Sequence, residues 1–271
     1  MFSLQTIRQL YKPVQPAIRN YSGNVEYREI LPHEKLQSCI YCYWQLKAER
    51  KLSEPFTYRV VADGCIDIFF EIDNPVESFV MGFCKKYTEF PLENTFHYIG
   101  IRFLPTMFPQ FFKMDASLLS NRFLSLNDVI PTTAQFIADT FNSDLNLTKI
   151  KSKLDSYFLN LMHTIHFDDD ARLYDALAVI LKNNGVLNIA ADIDTGISQR
   201  QLRRIFTYYI GDTVKTFCKV VRFQNILKAK PSVQNLKKNK LFFDAGYYDQ
   251  AHFIKEFKNF YGITPTQAFD I

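Results

Sequence analysis

Glycine is scarce in this sequence, with 9 residues among 271. Loops that bind nucleotide phosphates need glycine, and the sequence contains neither G-x-G-x-x-G nor G-x-x-x-x-G-K-[ST]. The zinc-hydrolase motif H-E-x-x-H and the serine-hydrolase motif G-x-S-x-G are also absent. These absences exclude the commonest enzyme signatures, so we expect a protein with no catalytic residues and no cofactor.

Regularly spaced cysteine pairs are lacking as well. The cysteines are odd in number, which suits reduced thiols: Cys39, Cys42, Cys65, Cys84 and Cys218. Cys39 and Cys42 form a C-x-x-C, but a structural zinc site needs a second close pair. His163 and His166 lie near an acidic triplet without any further metal-site pattern. We therefore expect no metal site, and we interpret the cysteines as small buried side chains.

Long apolar runs are missing too. No stretch approaches the roughly 18 consecutive apolar residues of a membrane span. The amino-terminal MFSLQTIRQLYKP has no apolar core of signal-peptide length, and Arg8 interrupts its most apolar part. We expect a cytoplasmic protein with no membrane contact.

The net charge of +4 conceals an uneven distribution. From Ala171 onward, 15 Lys and Arg stand against 8 Asp and Glu, a net charge of +7. The preceding residues carry 17 against 20, a net charge of −3. With 47% hydrophobic and 22% charged residues the chain is globular, and its length fits one large domain or two ordinary ones. An acidic front and a basic back favour two modules, the second of which faces an anionic partner.

Residues 25–112 have the pattern of short strands and turns. Cys65–Ile72 is β-branched and aromatic after an Asp-Gly turn, and His97–Phe103 is a second strand that ends before Pro105. Such strands predict a mainly β front domain, a small barrel or sandwich with flanking helices, of which a cupin-like barrel is one form.

From about Pro131 the apolar period becomes helical. Six apolar residues recur at steps of three and four: Ile150, Leu154, Tyr157, Phe158, Leu161 and Ile165. This helix packs on its own domain or forms a dimer seam, and packing is the favoured interpretation. The acidic break Asp168–Asp170 follows. We therefore predict an α+β chain of two domains, residues 1–167 and residues 168–271, the second entirely helical.

The basic back contains two units of the form helix, tight turn, helix. In the first, Leu187–Ile193 is a short helix, and Ser198 with Gln201 forms a capping-box pattern that begins a second helix after the turn. The apolar side of this second helix includes Leu202 and Phe206. Its other side carries Arg200, Arg203 and Arg204.

The second unit repeats this pattern. Leu241–Ala245 is a short helix, Gly246–Tyr248 is a turn, and Asp249 is a good N-cap for a helix over residues 250–260. The apolar stripe of this helix consists of Phe253, Phe257 and Phe260, and its end is marked by Gly262 and Pro265.

The two units have the residue types expected of a DNA-binding surface. A helix fits the major groove, where arginine binds guanine through two hydrogen bonds, and a helix amino terminus favours phosphate. Residues 213–229 between the units predict a helix of roughly 25 Å, which could hold two recognition helices near one DNA turn apart. A solvated basic face on a helical bundle is the alternative.

The residues of both units resemble the DNA-binding module of the AraC/XylS family of transcription regulators. The first has Ile197-Ser198-x-Arg200-x-Leu202-x-Arg204-x-Phe206. The second has Ala245-Gly246-Tyr247-Tyr248-Asp249-Gln250-Ala251-His252-Phe253 and then Gly262-Ile263-Thr264-Pro265. Gly211 and Val221-Arg222-Phe223 between them also match. The likeness covers residues 171–271.

The resemblance implies which side chains face DNA. On the first recognition helix these are Ser198, Gln199, Arg200, Arg203 and Arg204, and on the second Gln250, Ala251, His252, Ile254, Lys255 and Lys258. Phosphate contacts would come from Lys237, Lys238 and Lys240. Asp192 and Phe242 depart from the small residues usual in the family, and we expect a packing cost at the tight contacts of the leading helices.

Residues 25–130 resemble a front domain often joined to this module, whose role is poorly defined. The likeness rests on Tyr43-Trp44, on the segment 59–69 and on Gly100-Ile101-Arg102-Phe103-x-Pro105, with Ala62 in place of the usual proline. An aromatic-rich domain of this kind suits a small-molecule pocket. The residues expected there are Trp44, Tyr58, Arg59 and Arg102, with core packing and a surface ion pair as the alternative roles.

The sequence thus predicts a sequence-specific DNA-binding transcription regulator that is not an enzyme. Its expected partners are double-stranded DNA, RNA polymerase and a small effector, apolar or anionic, while dimerisation is left open. The alternative is a DNA-repair alkyl-transfer enzyme with a metal-activated cysteine, fused to the same module. A third interpretation makes the front half a protein-interaction module that binds no ligand.

Overall fold

The computed structural model describes residues 4–16, 24–168, 170–229 and 246–269. Its strands are β1 Val25–Ile30, β2 Ile40–Ala48, β3 Phe56–Val60, β4 Ile66–Glu71, β5 Ser78–Met81, β6 Thr88–Leu92, β7 His97–Phe103 and β8 Phe123–Ser125. Its helices are α1 Leu4–Leu10, α2 Met107–Phe112, α3 Leu126–Val129, α4 Pro131–Thr140, α5 Leu147–Thr164, α6 Ala171–Lys182, α7 Ile189–Asp192, α8 Gln199–Ile210, α9 Val214–Ala229, α10 Gln250–Tyr261 and α11 Pro265–Phe269. A mainly β front and a helical back confirm the predicted α+β organisation.

Both predicted strands are present. The strand over His97–Phe103 is β7, and the one over Cys65–Ile72 is β4, which is one residue shorter at each end. Cys65 stays outside because Gly64 before it turns the chain with a φ of 72°. Alternate residues of β4 are buried, as expected for a strand with one face on a core.

Six strands form one antiparallel sheet in the order β1-β2-β7-β4-β5-β8, and β3 pairs with β6 in a separate sheet. The edge strands β1 and β8 do not pair with each other, so the large sheet is open. Closure of a barrel requires the edge strands to meet, and the three-residue β8 gives little ladder for that. The closed, cupin-like form of the predicted front domain is therefore wrong, whereas the layered alternative is present.

The two-stranded sheet covers one face of the large sheet. Cys42, Trp44 and Leu46 project from that face of β2 and share an apolar cluster with Phe56 and Tyr58 of β3. The two layers thus face each other across aromatic side chains, which is the arrangement of a small sandwich.

Helices cover the opposite face of the large sheet. Tyr43 projects there from β2 and donates a hydrogen bond to Asp155 Oδ1 of α5 at 3.1 Å. Phe103 of β7 meets Phe158 of α5 with ring centroids 5.6 Å apart. Ile150 of α5 is buried as well. The packing of this helix on its own domain, which the sequence favours, is confirmed.

The apolar core continues from the front half into the back half. Ile68 of the large sheet belongs to the same buried cluster as Leu177, Phe206 and Phe257 of the helical part. The connection between α5 and α6, which contains Asp168, joins the two halves. The boundary predicted between residues 167 and 168 falls in this connection.

The connection is fixed by a buried glutamine of α2. Gln110 Nε2 donates to the carbonyl oxygen of Asp168 at 3.0 Å, and Gln110 Oε1 accepts from the Asp168 N–H at 2.8 Å. The same Nε2 donates to the Tyr174 hydroxyl at 3.2 Å, while Tyr209 of α8 donates to Asp168 Oδ2 at 2.5 Å. The short connection is therefore held by elements from both halves.

Gln110→Ala should lower the free energy of unfolding by about 1–3 kcal/mol, because it removes three hydrogen bonds at a buried position. Urea unfolding followed by circular dichroism measures this. Gln135→Ala removes an exposed glutamine that contacts Asp139 and should change the same quantity by less than about 0.5 kcal/mol. Equal losses in the two variants would contradict the proposed role of Gln110.

Candidate nucleic-acid interface and internal cavity

The first helix-turn-helix unit is formed by α7 and α8. The capping box predicted for α8 is confirmed: the Gln201 N–H donates to Ser198 Oγ at 3.2 Å, and the Ser198 N–H donates to Gln201 Oε1 at 3.1 Å. Asn188 caps α7 through its side-chain oxygen. Each helix therefore begins at a fixed residue, which sets where the first turn of α8 points.

The two sides of α8 differ sharply in exposure. Leu202 and Phe206 are buried in the core. The predicted DNA-facing residues of this unit are all exposed: Ser198, Gln199, Arg200, Arg203 and Arg204. The ion pairs found among the described residues do not involve these three arginines. Their charge is thus presented to solvent from one helix face.

The second unit ends in α10. Asp249 caps this helix by accepting from the His252 N–H at 2.7 Å, and Gly262 closes it with a φ of 99°. Its buried stripe contains Phe253, Phe257 and Phe260, as predicted. The outward residues expected from the resemblance are exposed: Gln250, Ala251, His252, Ile254, Lys255 and Lys258.

Helix α9 holds the second unit through two polar contacts that the sequence reasoning missed. Lys219 pairs with the buried carboxylate of Glu256 at 2.7 Å. Arg222 donates to the carbonyl oxygen of Gly246 at 2.9 Å and lies over the Tyr247 ring, 4.9 Å from its centroid. Spacing on a helix shows which residues are polar, but it does not show which partner they meet across the bundle.

Asp192 does not occupy a tight helix contact, so the expected packing cost is wrong for this residue. Its side chain is exposed, and its Oδ2 accepts from the Asn188 N–H at 2.8 Å. A carboxylate in the first turn of α7 is favourable there. Phe242, the segment Leu241–Ala245 and the phosphate-contact candidates Lys237, Lys238 and Lys240 lie outside the described residues.

A cavity of about 260 Å³ lies between the two sheets of the front half. Its walls are largely aromatic: Trp44, Tyr58, Phe69, Phe79, Phe90, Tyr98 and Phe123. Asp67 and Arg102 lie at its polar end. Three of the four pocket residues expected from the sequence, Trp44, Tyr58 and Arg102, therefore line the same cavity.

Arg59 faces away from this cavity, because successive side chains of a strand point to opposite faces. Tyr58 and Val60 of β3 line the cavity, whereas Arg59 pairs with Glu89 at 2.6 Å and lies over the Tyr87 ring. The alternation of β3 in the sequence was the signal that separates Arg59 from its neighbours.

Trp44 reaches the polar end by lying across a glycine. A Cβ at Gly100 would stand 2.0 Å from Trp44 Cε2, so only glycine leaves room for the indole above β7. The indole Nε1 donates to Asp67 Oδ2 at 2.9 Å on the far side of that strand. Gly100 thus determines the position of the indole in the cavity wall.

Arg102 is 1% exposed and is surrounded by carboxylates. Its Nη2 donates to Asp67 Oδ2 at 2.9 Å, its Nε is 3.4 Å from Asp63 Oδ2, and its Nη1 is 3.5 Å from Glu29 Oε1. Burial raises the pKa of Asp67 to about 6, against the opposing effect of Arg102. The Tyr58 hydroxyl and Arg102 Nη1 are buried without a hydrogen-bond partner.

A loop beside this cluster contacts the helical module. Gln224 of α9 donates to the carbonyl oxygen of Ala62 at 2.8 Å, and the Ala62 N–H donates to the carbonyl oxygen of Phe260 at 3.3 Å. Asp63, the next residue, is the one that approaches Arg102. The segment 61–64 therefore touches the cavity cluster on one side and both α9 and α10 on the other.

The cysteines are buried, as expected from the sequence. Burial raises the pKa of the Cys39 thiol to about 11 and that of Cys84 and Cys218 to about 12. Within the described ranges, no group of three or more histidine, cysteine or acidic side chains could hold a metal ion, and His163 and His166 belong to none. None of the described helices is long and apolar enough to cross a bilayer.

Two family matches cover much of the chain. Residues 28–125 match a family described as a domain of unknown function, DUF6597, and residues 194–270 match a family described as a helix-turn-helix domain. The back half is therefore a helix-turn-helix domain, a class that binds DNA in transcription regulators. The matched residues include α8 and α10, the second helix of each of the two units described above.

One relative with a curated description is an uncharacterized HTH-type transcriptional regulator from Haemophilus influenzae, 35% identical over 102 residues. The match covers 36% of the present chain and 33% of that protein, so the chain spans about a third of its length. ToxT from Vibrio cholerae is similar at 11% identity and a TM-score of 0.41, over 92% of this chain and 98% of that one. A ToxT structure bound to (E)-4-(8-methylnaphthalen-1-yl)but-3-enoic acid has a TM-score of 0.43 at 11% identity, over 81% and 96% of the chains.

Gly100→Ala should destabilise the front half by about 1–3 kcal/mol, because the added methyl group overlaps the Trp44 indole. We expect the tryptophan emission to shift to longer wavelength as the indole leaves its site and meets water. Urea unfolding and fluorescence of the single tryptophan measure the two effects.

The matched comparison is Gly100→Ala in a Trp44→Phe background. There the alanine should cost clearly less, since the colliding indole atoms are gone. The same cost in both backgrounds would show that the indole contact is not the reason for glycine at this position.

Proposed function

We propose that the chain is a sequence-specific DNA-binding transcription regulator that inserts α8 and α10 into successive major grooves. The observation that carries this proposal is the pair of capped helices, each with its apolar side buried and its basic and polar side exposed. A helix offered in this way fits the major groove. The net charge of +7 from Ala171 onward favours the phosphate backbone.

The contacts between the two halves leave the amino-terminal part of α10 open. Asn259, at the other end of this helix, donates to the carbonyl oxygen of Lys85 at 2.8 Å and accepts from the Tyr87 N–H at 3.1 Å. Gln250 and Lys255 remain exposed. We therefore assign base contacts to Arg200, Arg203 and Arg204 of α8 and to Gln250 with its neighbours on α10, and phosphate contacts to the helix ends.

The alkyl-transfer alternative has little support in the chemistry of the cysteines. A thiolate nucleophile needs a lowered pKa and access to its substrate, whereas burial raises the pKa of Cys39, Cys84 and Cys218. We accordingly propose a regulator that catalyses no reaction. It would act on DNA in the cytoplasm, together with RNA polymerase.

We also propose that a small molecule in the cavity modulates DNA binding. The support is the segment 61–64, which lies between the Arg102 cluster and helices α9 and α10. A ligand that moves Asp63 relative to Arg102 would move the neighbouring Ala62, whose backbone contacts both helices. In this proposal the module 168–271 reads DNA and the domain 1–167 senses the effector.

Replacing a base-reading side chain should weaken specific binding. DNA selected from a random pool with the full chain provides the site, and Arg204→Ala or Gln250→Ala should reduce the affinity for it by about 1–3 kcal/mol. The parent affinity should also fall steeply between about 50 and 200 mM salt. One half-site in the selected DNA indicates a monomer, and two spaced repeats indicate a dimer.

The matched control is Arg50→Ala, which removes the same charge from an exposed position of the front half. Its affinity for the selected site should stay close to that of the parent. If Arg204→Ala and Gln250→Ala bind as the control does, these residues do not read bases.

Coupling between cavity and module predicts that DNA changes the emission of Trp44, because coupling between two sites is reciprocal. Saturating selected DNA should alter tryptophan fluorescence in the parent. Gln224→Leu, which removes the hydrogen bond to Ala62, should reduce that change while DNA is still bound. An emission that is the same with and without DNA would contradict the coupling.

A further inference from the structure

The charge at the polar end of the cavity is unbalanced. Ion pairs within the described residues give Glu29, Asp63 and Asp67 one shared cation, Arg102. The Asp63 and Asp67 side chains are only 10% and 13% exposed. Two nearly buried carboxylates thus share one buried guanidinium, and buried charge of one sign is costly unless a counter-charge accompanies it.

There is room for such a counter-charge beside Asp67. A small void of about 20 Å³ adjoins the cavity and is lined by Asp63, Asp67 and neighbouring residues. Val60, Met81 and Asp67 line both spaces, so the void lies directly beside the main cavity. A space of this size holds one water-sized group, which is also the size of an ammonium group.

The cavity walls suit the same kind of ligand. Trp44, Phe69 and Tyr98 present aromatic surface, which attracts both apolar rings and cations. The hydroxyl of Tyr58, a residue 6% exposed, lines the cavity without a hydrogen-bond partner and offers an acceptor to an N–H group. Glu77, at an exposed position of the lining, adds a further negative charge.

We propose that the cavity binds a compact arylalkylamine as its ammonium ion, with the aromatic part among the rings and the ammonium group beside Asp67. This inference rests on the proposed regulator function in one respect, namely that the bound amine acts as the effector. It replaces the apolar or anionic effector expected from the sequence. An added carboxylate would meet Asp67 and Asp63, which already pair with Nη2 and Nε of Arg102, while the remaining Nη1 lies 3.5 Å from a third carboxylate, that of Glu29.

The test compares three probes of similar shape and different charge, using the full chain without DNA. These are 2-phenylethylamine, 2-phenylethanol and 3-phenylpropanoate, and the readout is the emission of Trp44 in the cavity wall. The amine should bind at least about tenfold more tightly than the alcohol, and the carboxylate should give no saturable change. Equal binding of amine and alcohol, tightest binding of the carboxylate, or no saturable binding of the amine would overturn the proposal.

Two variants locate the ammonium group. Asp67→Asn should bring the affinity ratio of amine to alcohol close to one, whereas Glu89→Gln, which alters an acid paired with Arg59 outside the cavity, should leave the ratio unchanged. Tyr58→Phe removes a hydroxyl with no protein partner, so it should fold normally and weaken the amine several-fold more than the alcohol. Circular dichroism checks the fold of each variant. An unchanged ratio in folded Tyr58→Phe and folded Asp67→Asn overturns the assignment, and if Asp67→Asn does not fold, Tyr58→Phe alone decides.

Because these measurements use no DNA, their outcome is independent of the DNA-binding tests. If the chain binds its selected DNA site but shows no preference for the amine, the proposed regulator function stands and the amine proposal is overturned. If the chain prefers the amine but binds no specific DNA, the amine site stands and the proposed regulator function is overturned.

Discussion

The buried guanidinium of Arg102 is the interaction on which the rest of the front half depends. It stands at 1% exposure and joins β7 to β4 through Asp67, while Asp63 ties in the turn before β4. A buried charge that loses its partner costs several kcal/mol, so these strands and the turn must keep their relative positions. The indole of Trp44 hydrogen-bonds the same Asp67 carboxylate and thereby adds β2 to this arrangement.

The position of this cluster explains why the two halves form one core. The turn that carries Asp63 also carries Ala62, whose backbone meets α9 and α10. A second attachment lies in the connection between α5 and α6, where Gln110 and Tyr209 form hydrogen bonds with Asp168. The helical module is therefore fixed to the sheet at two separate places, both of which use polar contacts within or beside the apolar cluster.

Local features of this chain could be predicted from the sequence, and contacts between distant residues could not. The Ser198 capping box, the phenylalanine stripe of α10 and the strand β7 follow from spacing within a few residues, and the structure has all three. The indole above Gly100 joins strands far apart in the chain, and no periodicity indicates it. The choice between a barrel and a sandwich stayed open because strand patterns do not show whether the two edge strands meet. Arg59 was grouped with the cavity residues although successive side chains of β3 point to opposite faces of the strand.

The contact between Ala62 of the front half and Phe260 of the helical module has a consequence for exchanging domains. Proline, the residue that the resemblance leads us to expect at this position, possesses no N–H and could not donate to the carbonyl oxygen of Phe260. Alanine at this position therefore permits a main-chain contact with Phe260, almost two hundred residues later. A chimaera that joins this helical module to a front domain with proline at this position would lack the hydrogen bond to Phe260 even if both parts folded.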